Sequence, residues 1–413
     1  MMRPLYSLAM IGAQPLLRRK LRRRGAAEPG YLEHVEERFG RYEGATQPGR
    51  LWIHAVSLGE TRAAAILVDA LRGEDPHLRI LLTHGTATGR AEGQRLLREG
   101  DAQAWLPWDT PGAVTRFLNH FRPCAGVMME TEVWPNIAAI CRSMGIPLAL
   151  ANARLSDKSL AQTRRLSGLS RPAYGSLAAV WAQTEDDARR LAQAGATVKG
   201  VFGNLKFDAT PDAQQVARGQ AWRAAQGRPV VMFASSREGE EEQLLRALPR
   251  GAAVQWLVVP RHPQRFDEVA ALVRGAGCSV SRRSSWAGAP QPADVWVGDS
   301  LGEMALYYGL ADVALLGGSF APLGGQNLIE AAACGCPIVM GPHTFNFAEA
   351  AELALQAGAA VRVASMEQGV QRAVAIALDH RGMTRACLEF AGANRGAARK
   401  TAQAVLHLLS SRA

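Results

Sequence analysis

The 413-residue sequence predicts an α/β protein of two Rossmann-like, doubly wound domains facing each other across a cleft. Three observations carry that expectation. A short apolar run, a polar turn and a helical pattern recur in that order about six times before residue 207. The same beat restarts near Pro211. The composition, 48% hydrophobic and 20% charged, is that of a folded chain with material for more than one core, which excludes a disordered or polytopic membrane protein.

In the first half the expected strands are 51–56, 79–83, 124–129, 147–151, 178–182 and 198–201. Each ends in a polar string: SLGE, HGTATG, ETEVWPN, NARLS, QTEDD and GNLKFD. In the second half they are 229–234, 255–259, 280–281, 294–297, 311–316 and 336–340. The strings there include SSREGEEE, PRHPQRF, GDSLGEM, GGSFAPLGGQN and GPHTFNF. The expected division is 1–30 as an N-terminal apolar and basic segment and 31–207 as a first Rossmann-like domain. Residues 208–385 form a second, and 386–413 a C-terminal helix able to pack back on the first. Ligands of doubly wound sheets bind outside the strand C-termini, where these polar strings lie.

The net charge of +10 is local. Residues 1–24 hold Arg3, Arg18, Arg19, Lys20, Arg22, Arg23 and Arg24 and no acid, leaving +3 for the rest of the chain. The apolar run 5–17 is shorter than the roughly 20 residues of a bilayer span. Its charges follow the apolar run instead of preceding it, which argues against a cleaved signal peptide. An interfacial anchor on an anionic membrane surface, with the chain on the cytoplasmic side, fits better than nucleic acid; an ordinary first helix with a basic face is the plainer alternative. The six cysteines lack disulfide or zinc-ribbon spacing and read as reduced, mostly buried thiols of a cytosolic compartment.

The chain has no G-x-G-x-x-G after a first strand, no phosphate-loop lysine motif, no nucleophile elbow and no H-E-x-x-H. Dinucleotide redox chemistry, P-loop hydrolysis and zinc proteolysis lose their support. Four clusters remain. Glu60, after Gly59 at a strand-to-helix turn, suits a general base for an acceptor hydroxyl, or a first-turn acid facing the helix dipole. Glu130 and Glu132 flank Thr131 directly after an apolar run; they can bind sugar hydroxyls or raise one another's pKa, or serve as cap chemistry. Lys206 is one of only five lysines beside 42 arginines, and ends the first half. In the second half Pro260–Arg261, Gly302–Glu303 and Gly324 through Glu330 read together as a nucleotide-phosphate site.

HAVSLGE (54–60), LTHGTATGR (82–90), LPWDTPGAVTRFL (106–118), METEVWPN (129–136), NARLSDKS (152–159) and GNLKFD (203–208) occur in that order. They are followed by SSREGEEE (235–242), VPRHPQRF (259–266), GDSLGEM (298–304), GGSFAPLGGQN (317–327) and GPHTFNFAE (341–349). This series resembles the 3-deoxy-D-manno-octulosonic acid (Kdo) transferases. The resemblance implies a GT-B glycosyltransferase on the cytoplasmic side of the inner membrane. It would move Kdo from CMP-Kdo to a lipid A precursor, a tetraacyl disaccharide phosphate, in lipopolysaccharide core biosynthesis, with inversion, no metal and no other cofactor. It implies Glu60 as general base and Glu130 and Lys206 as transition-state stabilisers. It places CMP on Pro260, Arg261, Leu301, Gly302, Glu303, Asn327, Leu328, Ile329 and Glu330. Lys206 or Arg154 would meet the Kdo carboxylate.

Three donor-side positions depart from the family pattern. Gln326 stands where a His is usual in GGHN, Arg237 where a His is usual in STHEGEE, and Ala331 where a Pro follows the Glu. The rival expectations are another GT-B enzyme, such as a UDP-sugar transferase or epimerase, and a membrane-bound scaffold or nucleic-acid binder without turnover.

Overall fold

The computed structural model describes residues 2–410, apart from 45, 250, 252 and 380. Its contacts divide the chain into two units, Met1–Asp208 with Arg395–Ala413, and Ala209–Asn394.

The first unit holds seven parallel strands: β1 (Leu51–His54), β2 (Ile80–His84), β3 (Ala102–Trp105), β4 (Ala125–Met129), β5 (Leu148–Ala153), β6 (Ala179–Ala182) and β7 (Val198–Val201). Their order is β3-β2-β1-β4-β5-β6-β7. Both faces are covered by helices, so the strands read as continuous apolar runs. Side chains still alternate between the faces. Leu51 and Ile53 pack with Leu67 and Val68 of helix Leu58–Glu74, while Trp52 packs with Phe117 of helix Pro111–Phe121 on the other side.

The second unit repeats the plan with β8 (Val230–Ser236), β9 (Gln255–Pro260), β10 (Val280–Arg282), β11 (Val295–Val297), β12 (Val313–Leu316), β13 (Ile338–Met340) and β14 (Ala360–Arg362). Their order is β10-β11-β9-β8-β12-β13-β14, again parallel. Phe233, Val258, Leu315 and Val339 form its core with Val269 and Ile376.

In each sheet the strand order reverses at one place, between β1 and β4 in the first and between β8 and β12 in the second. These switch points are where a doubly wound sheet opens a crevice. They put the turns after Ala55 and Met129 side by side in one unit, and those after Ala234 and Leu316 side by side in the other.

The sequence showed six strands per half; β3 and β14 were missed. β14 is a short, partly exposed edge strand, and β3, also an edge, alternates half-buried with buried positions. An edge strand of this kind lacks the continuous apolar run of a central one. The segment 386–413 is not one helix. Helix Arg381–Ala393 falls in the second unit, and helix Ala397–Ser410 returns to the first. There Ala398, Ala402 and Val405 pack with Leu67, Val68 and Leu71. Asp208 fixes the return: its carboxylate oxygens accept from the backbone N–H of Gly396 at 2.6 Å and of Ala398 at 2.7 Å.

The N-terminal segment forms helices Met2–Gly12 and Gln14–Ala27. Among the described residues no helix is long and apolar enough to cross a membrane. Ser7 and Leu21 are buried, whereas Leu5, Leu8, Ile11 and Leu16 are exposed. Not all the basic cluster faces outward. Arg18 pairs with Glu36 at 2.7 Å and lies over the Phe39 ring, and Arg24 lies over Tyr31. Arg3, Arg19, Lys20, Arg22, Arg23 and Arg24 are all exposed, and Arg18 is half-buried.

Candidate active site

Glu60 sits in the first turn of helix Leu58–Glu74. Its backbone N–H donates to Ser57 Oγ at 3.4 Å, and the Ser57 hydroxyl donates back to Glu60 Oε1 at 3.2 Å. The other carboxylate oxygen accepts from the Val56 N–H at 2.8 Å. This is a variant of the capping box in which the carboxylate reaches the N–H one residue before the cap, so the plainer reading of Glu60 is geometrically correct as far as it goes. It is not the whole account. Burial pushes the carboxyl pKa up to about 7, and the neighbouring charges of Glu130 and Glu132 push the same way, against the Val56 and Ser57 hydrogen bonds. A carboxyl poised there takes and gives up a proton near neutral pH.

Glu130 follows β4 directly and adopts a left-handed backbone with φ +55°, uncommon for a residue with a side chain. Its carboxylate is buried and held between two cations. Oε1 accepts from Lys206 Nζ at 3.2 Å, and Oε2 from Arg154 Nε at 3.0 Å. Three strand ends therefore converge: Glu130 after β4, Arg154 after β5, and Lys206 beyond β7. Glu132 turns to Trp134, whose indole N–H donates to it at 2.8 Å, and burial raises its pKa.

Lys206 is positioned by a chain of amides that the sequence did not flag. Asn204 Oδ1 accepts from the Lys206 N–H at 3.0 Å, and Asn204 Nδ2 donates to Gln183 Oε1 at 3.2 Å. Gln183 Nε2 donates to the Asn152 carbonyl at 2.9 Å, and Asn152 Oδ1 accepts from the Leu205 N–H at 3.1 Å. The acid turn is anchored from the other side. Asp109 accepts from the N–H groups of Asn136 at 3.0 Å and Ile137 at 2.8 Å, which start helix Pro135–Ser143, and from the Tyr6 hydroxyl. The Ser7 hydroxyl donates to Asn136 Oδ1 at 3.0 Å. The first helix of the chain is thus hydrogen-bonded to the segment that carries Glu130 and Glu132.

In the second unit the turns after β8 and β12 interlock. Gly317 passes so close to Ser235 that a Cβ on it would lie 2.2 Å from the Ser235 carbonyl oxygen. Glu240 is fully buried and accepts four backbone N–H groups: Gly318 at 2.7 Å, Ala321 at 3.0 Å, and Phe320 and Arg237 at 3.1 Å. Its neighbour Glu241 accepts from Ser236 Oγ at 2.7 Å and from Arg265 at 2.8 Å. Arg261 follows β9 and donates its backbone N–H to the Ser236 carbonyl at 3.1 Å. Arg237, Arg261 and Arg265 all depress the pKa of His262, second only to its burial, which marks a concentration of positive charge.

The remaining donor-side residues divide. Leu301 is exposed, and Gly302 has φ +77° with its carbonyl accepting from Gln215 Nε2 at 2.9 Å. The Glu303 carboxylate is already engaged, accepting from Arg283 at 2.7 Å and from Ser300 at 2.5 Å. Asn327 caps helix Leu328–Ala333 by accepting from the Ile329 N–H at 3.1 Å, with Glu330 in the first turn.

A family model described as 3-deoxy-D-manno-octulosonic-acid transferase matches residues 33–209. The chain is similar to the 3-deoxy-D-manno-octulosonic acid transferase of Bordetella pertussis, 47% identical over 98% of each chain. It is also similar to that of Haemophilus influenzae, 32% identical over 91% of this chain and 90% of the other. The chain belongs to the Kdo transferases. A solved glycosyltransferase of Rickettsia africae covers 88% of this chain and 99% of its own, with TM-score 0.58 and 12% identity, a likeness of fold alone. That fold is the GT-B class of two Rossmann-like units.

Within this Kdo transferase, the residues sequence reasoning missed are those that hold others in place: Asn152, Gln183, Asn204 and Glu240. The available signal was their position, each in a polar string just past an expected strand, although Asn152 proves to lie inside β5. Glu240 lay hidden in an acidic run that reads as solvated charge, yet Glu240 and Glu241 are both buried. Two of the three departures lie beside the same glycine. A Cβ on Gly318 would lie 3.2 Å from Gln326 Nε2 and 3.7 Å from Arg237 Cγ.

Proposed function

We propose that this enzyme transfers Kdo from CMP-Kdo to a hydroxyl of a lipid A precursor, with inversion and without a metal ion, in lipopolysaccharide core assembly. The observation that carries the reading is Glu60, a half-buried carboxyl with a pKa of about 7 beside a second acid site clamped by cations. In a single displacement Glu60 removes the proton of the acceptor hydroxyl as the oxygen bonds to the anomeric carbon. The bond from that carbon to the CMP phosphate oxygen breaks, and the electron pair leaves with CMP. Lys206 and Arg154, held at Glu130, meet the carboxylate of Kdo. Arg261, Arg237 and the backbone N–H groups around Gly325 and Asn327 take up the negative charge growing on the phosphate. Pro260, Leu301, Gly302 and Leu328 through Glu330 shape the nucleoside pocket.

The exposed Leu5, Leu8 and Ile11, next to the cations Arg19, Lys20, Arg22 and Arg23, support an interfacial helix resting on the anionic inner-membrane surface. A lipid acceptor reaches the enzyme from that surface.

The test is transfer of labelled sugar from CMP-Kdo to a tetraacylated lipid A precursor in EDTA, comparing wild type with Glu60→Ala. Transfer by wild type and its loss in the variant is the expected result. Equal transfer by both removes Glu60 from its role, and no transfer by folded wild type rejects the donor or the acceptor.

A further inference from the structure

Glu60 works as a base only while its carboxylate is aimed and its charge is steadied, and both depend on the turn 55–57 before its helix. All three carbonyls of that turn are taken by other groups. Val56 O accepts from the N–H groups of Gly85 at 3.1 Å and Thr86 at 2.9 Å, and from the Thr86 hydroxyl at 3.0 Å. Ser57 O accepts from the Thr61 N–H at 2.8 Å and from its hydroxyl at 2.9 Å. Ala55 O accepts from a distant side chain, His84 Nδ1, at 3.1 Å. Two of the turn's donors, the Val56 N–H and the Ser57 hydroxyl, are left for the Glu60 carboxylate.

His84 closes β2 and is fully buried. A carbonyl oxygen only accepts, so Nδ1 carries the ring's proton. Nε2 is buried with no hydrogen-bond partner among the described residues. Burial brings the ring's pKa down to about 4; the bond to Ala55 opposes that fall and the charge of Arg90 adds to it. The ring is therefore neutral at neutral pH. Gly93 of helix Ala87–Gln94 lies flat against it, since a Cβ there would stand 2.3 Å from Nε2. The neighbouring His54 is engaged by Thr83, whose carbonyl lies 3.1 Å from its Nδ1. The carbonyl that His84 grips and the N–H that Glu60 receives belong to one peptide group, that between Ala55 and Val56. Hydrogen bonds at the two ends of an amide strengthen one another. The Val56 N–H is also the largest of the influences that favour the charged form of Glu60 against its burial.

We infer that His84 is a positioning residue for Glu60, acting as a neutral donor that orients the carboxylate and stabilises its charge through the Ala55–Val56 peptide. The inference rests on the base role proposed for Glu60. The charged groups on the elements packed around this turn are engaged elsewhere. Glu130 meets Lys206 and Arg154, and Glu132 accepts from Trp134. Arg90 pairs with Glu37, Arg62 with Glu92, and Arg38 donates to the Gly85 carbonyl. Asp208 holds the backbone of Gly396 and Ala398, and Arg399 lies at Glu74, the far end of the Glu60 helix.

The full chain is assayed across a range of pH with CMP-Kdo and a tetraacylated lipid A precursor. His84→Leu removes the donor. His84→Gln sets its amide near the place of Nε2 and leaves the Ala55 carbonyl without the donor, whereas His84→Asn sets an amide N–H near the place of Nδ1 and keeps it. For wild type the kcat/KM profile has its midpoint at about 7. His84→Leu and His84→Gln move that midpoint up by about half a unit or more and lower kcat by about tenfold. Donor and acceptor KM hold, and His84→Asn recovers most of the rate together with the wild-type midpoint. Should His84→Leu fail to fold, His84→Asn against His84→Gln decides the question, because both keep a polar side chain at the site. A rate loss with an unmoved midpoint overturns the inference, as do variants that match wild type. So does a His84→Asn variant as impaired as His84→Gln, or a change confined to KM. Each of those results leaves Glu60 as the base. Equal transfer by wild type and Glu60→Ala removes the base itself, and this inference with it.

Discussion

Lys206 Nζ lies 3.2 Å from Glu130 Oε1, joining two residues 76 positions apart in sequence. The contact ties the last turn of the first unit's sheet to the turn at its switch point. It also helps to hold Glu130 in its left-handed backbone, a conformation that persists only because its surroundings fix it.

Lys206→Met leaves the buried Glu130 carboxylate paired with Arg154. The expected cost is about 1–3 kcal/mol in denaturant unfolding, since a buried charge loses half its compensation. Glu130→Gln in the same background recovers part of that cost. Strict additivity of the two changes in a double-mutant cycle would show the contact to be incidental.

Glu60 predicts opposite trends for rate and stability. The base must be ionised, so kcat/KM rises with pH through about 7 and levels above it. An acid whose native pKa is raised holds its proton in the folded state. Ionising it therefore costs stability, progressively from its ordinary value near 4.5 up to about 7. Glu60→Gln lacks that cost. Its thermal midpoint exceeds wild type at pH 8, by the equivalent of about 1–3 kcal/mol, and matches it at pH 4. A variant less stable than wild type at pH 8 would mean that the capping box outweighs the buried charge.

Arg237 and Gln326 flank Gly318, and each stands where the family resemblance leads one to expect a His. The substitutions are expected to act as a pair. Arg237→His or Gln326→His alone weakens CMP binding, and the double change restores it, with a coupling of at least about 0.5 kcal/mol by calorimetry. Independent effects of the two changes would sink the idea.

Glu240 gathers the turn after β12 by accepting three of its N–H groups, and a fourth from Arg237 in its own loop. Glu240→Ala strands those donors and is expected to cost about 3 kcal/mol or more, with a raised donor KM. Glu240→Gln is nearly as damaging, because its amide N–H₂ faces N–H groups that need an acceptor. A glutamine variant with wild-type donor KM would refute this account of the turn.

The central strands were legible because burial on both faces writes an unbroken apolar run, as in 125–129 or 313–316. The acid and cation positions were legible for a related reason: polar strings past strand ends have few structural explanations. What the sequence concealed depends on three-dimensional pairing. Nothing at Asn152 or Gln183 says that each supports a loop about 20–50 residues downstream. Glu60 was readable as a base or as a helix-start acid, and the structure shows one side chain in the helix-start position with a base's pKa. Ala331 occupies a buried place on helix Leu328–Ala333, and nothing in the structure explains why it replaces proline.

The chain leaves the first unit at Asp208 and re-enters it at Gly396, with that same aspartate receiving the returning backbone. On the ribosome, the first-made half is therefore the last to be finished. All seven strands of its sheet emerge early, but the groove along Leu67, Val68 and Leu71 stays open until Ala398, Ala402 and Val405 are synthesised. The half made second is complete before that point. Vectorial synthesis thus leaves a nascent apolar seam, closed only by the final helix, and truncation within 397–410 exposes it permanently.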